Sequence, residues 1–277
     1  MRTTIDRRRF LVLSGAAAAW AATACAGDDD SPESAAPTAT SAGAAPSPTV
    51  QAGADAAAVG LRWYGQSMFL LTSPAGARIV LDPFNDIGYR IPPILNTDAA
   101  TITHEHPDHN NDALGGGTAT VLRGLTADGW ADIDEIVDDI RIRTVQSFHD
   151  DQQGAQRGRN AIFVFEIAGL RFVHLGDLGH PLDDTHVAGI GGPVDALMVP
   201  VGGNFTIDAP QATEIVARLQ PKLVFPMHYK TEKIPFPLAT VDAFLEGKSV
   251  QRVGSTTTRI TPDALPDETT TFVLDYE

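Results

Sequence analysis

The segment Thr103-His104-Glu105-His106-Pro107-Asp108-His109 sets three imidazoles and an aspartate within six consecutive positions, directly after the apolar run Ala99-Ala100-Thr101-Ile102. In extended backbone, side chains alternate, so His104 and His106 point the same way and can grip one cation. Asp108 and His109 fall just past the strand end, where the turning chain can aim them at a second ion. Nitrogen and carboxylate ligands of this kind suit zinc, iron or manganese. A polar loop capping a helix near Asp108 would use the same residue types. A cap, however, needs a single such residue, whereas a ligand set needs a cluster.

Strands have to position these groups. β-type runs occur at Leu61–Tyr64, Met68–Leu71, Arg78–Leu81, Ala99–Thr103 and Thr118–Leu122, then at Ile140–Phe148, Ala161–Ile167, Leu170–His174 and Ala196–Val201. Gly, Pro and Asp punctuate them as turns. Ala168-Gly169 would join its flanking runs as a hairpin. Asp208 can cap a helix with Pro210 in its first turn and Pro221 as its stop. Ala212, Ile215, Val216 and Leu219 give that helix one apolar stripe for packing on a sheet. Leu223–Pro226 reads as a buried strand, and Thr240–Gly247 as a second amphipathic helix. The pattern suggests an α/β sandwich of two mixed sheets with helices outside.

Further ligand types stand where strands meet loops. His149 follows Arg141–Phe148, Asp177 follows Leu170–Gly176, and His228 follows Leu223–Met227. Loops held by a rigid scaffold are the usual place for chemistry. Taken in order, Leu81-Asp82-Pro83-Phe84, Thr103–His109, Ser147-Phe148-His149-Asp150, His174-Leu175-Gly176-Asp177 and Pro226-Met227-His228-Tyr229 resemble the motifs of the metallo-β-lactamase superfamily. The branch most resembled contains ascorbate 6-phosphate lactonase and other metal-dependent hydrolases, and the resemblance runs from Leu61 to Glu277.

That resemblance implies an αββα four-layer sandwich and two divalent metal ions, zinc foremost, with manganese or iron as alternatives. It implies that His104, His106 and His149 hold one ion, that Asp108, His109 and His228 hold the other, and that Asp177 bridges them. Asp82 would orient a ligand imidazole by a hydrogen bond. The implied chemistry is hydrolysis by a metal-activated hydroxide, water's pKa falling from about 15.7 towards ~7. Asp108 would also steer that hydroxide, a catalytic role. A β-lactamase reading is weaker, since zinc β-lactamases lack the bridging Asp and some use a Cys ligand. A metal-binding envelope protein without catalysis is the alternative from another class, and the full ligand set argues against it.

Other polar residues carry two readings each. His180, after Gly179, is either a catalytic or substrate-contacting group at the site's edge or a solvated loop residue. His174 should be a satisfied core histidine on the opposite strand face, and His186 a surface residue of a short helix. Arg157 and Arg159 are candidates to clamp a substrate carboxylate or phosphate, or else a solvated charge pair. Asn160 and Lys230 are similar candidates. Gly203, in Val201-Gly202-Gly203-Asn204, either admits substrate close to the backbone or is an ordinary turn.

The first residues read as addressing rather than fold. Arg7-Arg8-Arg9-Phe10-Leu11 and a weakly apolar run to Ala24 resemble a twin-arginine export signal, with Asp6 and Val12 departing from its pattern. Cys25, the single cysteine of the chain, follows Ala22-Thr23-Ala24 as in a lipobox lacking its usual Leu. Acylation there would supply the two chains a stable membrane anchor needs. Residues 25–58, mostly Ala, Ser, Pro, Thr, Gly and Asp, read as a disordered tether, and residues 59–277 as one catalytic domain. Localisation on the extracytoplasmic side of a bacterial membrane follows. The net charge is −15, and about −18 without the first 24 residues, which carry four Arg and one Asp. Such acidity disfavours nucleic acid as a partner and leaves a small molecule as the expected substrate; it says nothing of oligomeric state.

Overall fold

The computed structural model describes residues 57–276. The expected signal, and the tether with Cys25 up to residue 56, lie outside the described residues. Two sheets carry the domain. The six-stranded one uses β1 (Val59–Gly65), β2 (Met68–Thr72), β3 (Arg78–Leu81), β4 (Ala99–Ile102), β5 (Thr120–Arg123) and the late β13 (Thr257–Ile260). The eight-stranded one uses β6 (Asp134–Val137), β7 (Ile140–Phe148), β8 (Arg159–Ile167), β9 (Leu170–His174), β10 (Ala196–Pro200), β11 (Leu223–Met227), β12 (Val250–Arg252) and β14 (Thr270–Val273). Their orders are β13-β1-β2-β3-β4-β5 and β12-β14-β11-β10-β9-β8-β7-β6, each mixing parallel and antiparallel pairs.

Period-two alternation explains why the first sheet is covered on both faces. Along β2, Phe69 and Leu71 enter the core between the sheets, while Met68 and Leu70 enter a second cluster on the outer face. Ile79 and Leu81 against Val80 on β3, and Ala99 against Ala100 on β4, divide the same way. The main core meets Phe163, Phe165 and Phe172 from the facing sheet, all fully buried. α1 (Asp184–Ile190), α2 (Ala209–Leu219) and the single turn α3 (Asp242–Leu245) complete the layers of a metallo-β-lactamase-type sandwich. α2 forms as its sequence predicts: Asp208 and Gln211 make a reciprocal capping box, and Ala212 and Ile215 are buried. The outer face of the six-stranded sheet is covered by Phe84, Tyr89, Leu95, Ile234 and Leu238, from irregular segments, and by Leu114 of a short 3-10 turn, Asp112–Gly115.

Two expectations shift and one holds. The helix expected over Thr240–Gly247 shrinks to α3, because no side chain caps its N-terminus and Gly247 turns away at φ +71°. The strand expected to reach Thr103 ends at Ile102, since the Thr103 N–H leaves the ladder to bond Asp82 Oδ1 at 2.8 Å. The Ala168-Gly169 hairpin does form, with both residues at positive φ and β8 paired to β9.

Candidate metal centre

The expected ligands all arrive from the C-terminal ends of strands. β4 leads into His104–His109, β7 into His149, β9 into Asp177 and β11 into His228. Ligand atoms of His104, His106 and His149 lie within 4.8 Å of one another, and so do those of Asp108, His109, Asp177 and His228. Asp177 Oδ2 sits between the sets, 3.1 Å from His149 Nε2 and 3.2 Å from both His109 Nε2 and His228 Nε2. His104 Nε2 and His106 Nδ1 approach to 3.1 Å.

Asp82 sets the tautomers. Its carboxylate accepts the Thr103 hydroxyl on Oδ2 at 2.6 Å and His109 Nδ1–H on the same oxygen at 2.8 Å. Because the Thr103 proton is committed to Asp82, Thr103 Oγ1 accepts from His104 Nδ1–H at 3.0 Å. Both imidazoles are thereby held with Nε2 free as a lone-pair donor facing the site. Asp82 is also close enough to His104 and His109 to form a ligand trio, but its oxygens are already occupied by these donors. His109 Nε2 and Asp177 Oδ1 are buried without a hydrogen-bond partner among the described residues, which a cation would relieve. Donor set and orphaned atoms fit a divalent metal.

The electrostatics point the same way. Burial pushes His104 well below its ordinary pKa, with the neighbouring His109 adding to it. For His109 burial acts downward, yet the charges of Asp177 and Asp108 outweigh it and raise the imidazole well above its usual range. Asp177 and Asp108 are held below the usual carboxylate range against burial, chiefly by His109. Carboxylates concentrated in a desolvated site demand a positive charge: a proton on His109 or a metal cation.

The supporting residues include some that sequence spacing missed. Gln66, buried at φ +48° in the β1–β2 turn, donates Nε2 to Asp108 Oδ2 at 2.9 Å, and its carbonyl accepts the His228 N–H at 3.1 Å. Only its place after Gly65 signals a turn. Asp150 accepts four backbone N–H groups, from Gln152, Gly154, Gln156 and Arg157, and so folds the loop carrying Arg157. Gly176, at φ +56°, has no room for a Cβ, which would lie 2.4 Å from Asn160 Oδ1.

Several expected contacts serve the scaffold instead. Both His180 nitrogens are engaged by backbone: Nδ1 donates to Pro181 O at 2.7 Å and Nε2 accepts from Phe148 N–H at 3.1 Å. With no free ring nitrogen, His180 positions the end of β7 rather than moving a proton. Asn160 is fully buried, accepts the Asp177 N–H on Oδ1 at 3.0 Å, and donates to Ser147 Oγ and Leu175 O. It fixes Asp177 and does not meet substrate. Lys230 donates Nζ to the carbonyls of Ile234 and Phe236, stapling that loop. Arg159 lies over the Trp130 ring at 5.2 Å, and Gly203 makes a turn at φ +63° bonded to Ile207 O. His174 is satisfied, donating Nε2–H to Ser67 O and accepting Gly176 N–H, and His186 caps α1 with Asp183. Arg157 alone of the proposed contacts lines the pocket of about 370 Å³ that opens over the ligands, together with Pro107, Phe205 and Phe236.

Mixed sheets stacked face to face, with clustered His and Asp ligands at one edge, define a metallo-β-lactamase-type hydrolase. Residues 60–228 match the family model described as Beta-lactamase superfamily domain. A UPF0173 metal-dependent hydrolase of Thermococcus onnurineus is 30% identical over 193 residues, covering 62% of this chain and 85% of its own. Another, from Polynucleobacter asymbioticus, is 27% identical over 240 residues, covering 71% and 83%. A solved structure from Thermotoga maritima, named as a Zn-dependent hydrolase of the metallo-beta-lactamase superfamily, is 33% identical with a TM-score of 0.62, covering 79% of this chain and all of that one. The chain belongs to the metallo-β-lactamase superfamily and, within it, to the UPF0173 family of metal-dependent hydrolases.

Proposed function

We infer that the chain hydrolyses a small ester, lactone or phosphoester, with His104, His106 and His149 holding one divalent ion and Asp108, His109 and His228 the other, Asp177 between them. Zinc is the ion its ligands suit first. The observation that carries the reading is Asp177 Oδ2, within 3.2 Å of His149, His109 and His228. Divalent ions held by these residues would acidify a bound water and polarise the scissile group. Asp82 holds two imidazoles in the ligating tautomer, Gln66 holds Asp108, and Asn160 holds Asp177. Asp108, partly exposed at the pocket wall, is placed to accept a hydrogen bond from the attacking nucleophile. For an ester, water adds its OH to the acyl carbon, the acyl–oxygen bond breaks, and the leaving oxygen takes the remaining proton. The lactone version draws on the resemblance to ascorbate 6-phosphate lactonase-like hydrolases.

The site of action we propose is the outer face of a bacterial membrane, supported by the Arg7-Arg8 pair and Cys25. Export that survives replacing both arginines by lysine, or membrane association retained in Cys25→Ser, would overturn it. Elemental analysis of protein purified without added metal, followed by phosphodiester, lactone, aryl ester and β-lactam substrates, tests the activity. Stoichiometric metal with no turnover on any class would favour a binding protein instead.

A further inference from the structure

The pocket above the ligands has an uneven chemistry. Pro107, Phe205 and Phe236 give it apolar walls, with the two phenyl rings edge to face at 6.3 Å. Arg157 is the one Arg or Lys among its described lining residues, half-buried and over the Phe205 ring at 5.6 Å. The guanidinium is anchored from behind: Nη2 donates to Asn204 O at 3.0 Å, and its backbone N–H donates to the Asp150 carboxylate at 2.7 Å. The Phe236 wall is likewise held, by Lys230 through the Phe236 carbonyl. Both elements are therefore set before any ligand arrives, which lowers the ordering cost of binding.

The geometry points to an amphipathic acid as substrate: a small ester or lactone whose apolar, ring-sized body lies against Phe205 and Phe236 and whose distal carboxylate meets Arg157. This rests on the hydrolase reading above and narrows it. A carboxylate suits the pocket better than a phosphate dianion. Nη2 is engaged by Asn204 O at 3.0 Å and Nη1 only at 3.5 Å, by Gln156 Oε1, so the guanidinium offers a single charge-assisted contact, and the described lining residues include no other Arg or Lys. The volume of about 370 Å³ admits one such ring and its two functional ends. The bond broken and the fate of water are those of the parent hydrolysis, and the carboxylate itself does not react.

The test uses the metal-loaded full chain and two non-hydrolysable probes, benzylphosphonate and 4-carboxybenzylphosphonate, with affinity read by calorimetry. The carboxylated probe binds about tenfold tighter. Arg157→Gln brings that ratio to within about twofold of unity, Arg157→Lys keeps part of it, and Phe236→Ala weakens both probes together. Melting temperature checks that each variant is folded. The same ratio is read in hydrolysis, comparing 4-nitrophenyl benzoate with the 4-nitrophenyl monoester of terephthalic acid, whose carboxylate cannot reach its own ester carbon. A probe preference unchanged in Arg157→Gln, or equal affinities in the parent protein, overturns the assignment. If the Arg157-dependent preference appears in binding while neither ester turns over, the pocket assignment stands and the hydrolase reading falls. If both esters turn over with a ratio indifferent to Arg157, the reverse holds.

Discussion

Gln66 Nε2 lies 2.9 Å from Asp108 Oδ2, and the carbonyl of the same residue accepts the His228 N–H. One side chain and one peptide group of the β1–β2 turn thus hold ligands that come from different sheets. The left-handed backbone at Gln66 and at His228, φ +48° and +50°, is over-determined by these bonds.

Asp82→Asn places an amide where two donors converge. Either its NH₂ opposes the Thr103 hydroxyl and His109 Nδ1–H, or the tautomers change. Metal affinity, read by competition with a chromophoric chelator, falls about 10–100-fold. Affinity equal to the parent protein would show that Asp82 does not set the imidazoles.

Asn160→Ala removes the acceptor for the Asp177 N–H and two donors to buried oxygens. The urea midpoint drops by an amount equal to about 2–4 kcal/mol, and metal affinity falls with it. A variant that lost only substrate affinity would return Asn160 to the substrate-contact role.

Gly176→Ala forces a Cβ to within 2.4 Å of Asn160 Oδ1 and 2.8 Å of Thr103 Cβ at positive φ. We expect a loss of about 2–4 kcal/mol from the backbone conformation and the overlap together. An unchanged melting temperature would refute the close approach of the Asp177 turn to β4.

Glu166 tests the pH dependence. The Arg171 hydrogen bond at 2.9 Å, opposed by partial burial and aided by the Arg171, Arg143 and Arg141 charges, lowers its pKa. A depressed carboxylate contributes stability that is present above its unfolded value of about 4.3 and is lost as pH falls through the folded value. Glu166→Gln therefore costs about 0.5–1 kcal/mol at pH 7, discounted for exposure, and the difference narrows as pH falls below about 4.3 and is lost below the lower folded value. A gap constant from pH 7 to pH 3 would contradict the ion pair.

Chelation tests whether the two His/Asp sets hold metal. At a metal concentration a hundredfold above Kd, bound metal contributes about 2.7 kcal/mol, so stripping it lowers Tm by about 5–10 °C. A Tm indifferent to chelator and to added zinc would deny the site a bound metal.

The clustered His and Asp residues of the candidate centre are legible in the sequence because few roles demand so many histidines so close together. His149, Asp177 and His228 were found by their place after apolar runs, a position that strand ends enforce. The arrangement around them was less legible. Gln66, Asn160 and Lys230 act through backbone partners distant in the chain, and nothing in local spacing separates a positioning amide from one that meets substrate. β6, β12, β13 and β14 escaped notice for a related reason. They are only three or four residues long, β6, β12 and β13 are largely exposed, and they exist through pairing with strands elsewhere, as β13 does with β1.

More than a hundred residues separate His104 from His228, and the two belong to different sheets. During synthesis the first histidines leave the ribosome long before β11 exists to present the last. Until then the early motif offers an open, incomplete chelate that any available ion can visit and leave. The complete donor set is therefore a property of the finished fold, acquired late in the life of the nascent chain, and a product truncated before β11 would carry the most recognisable motif of the chain without His228.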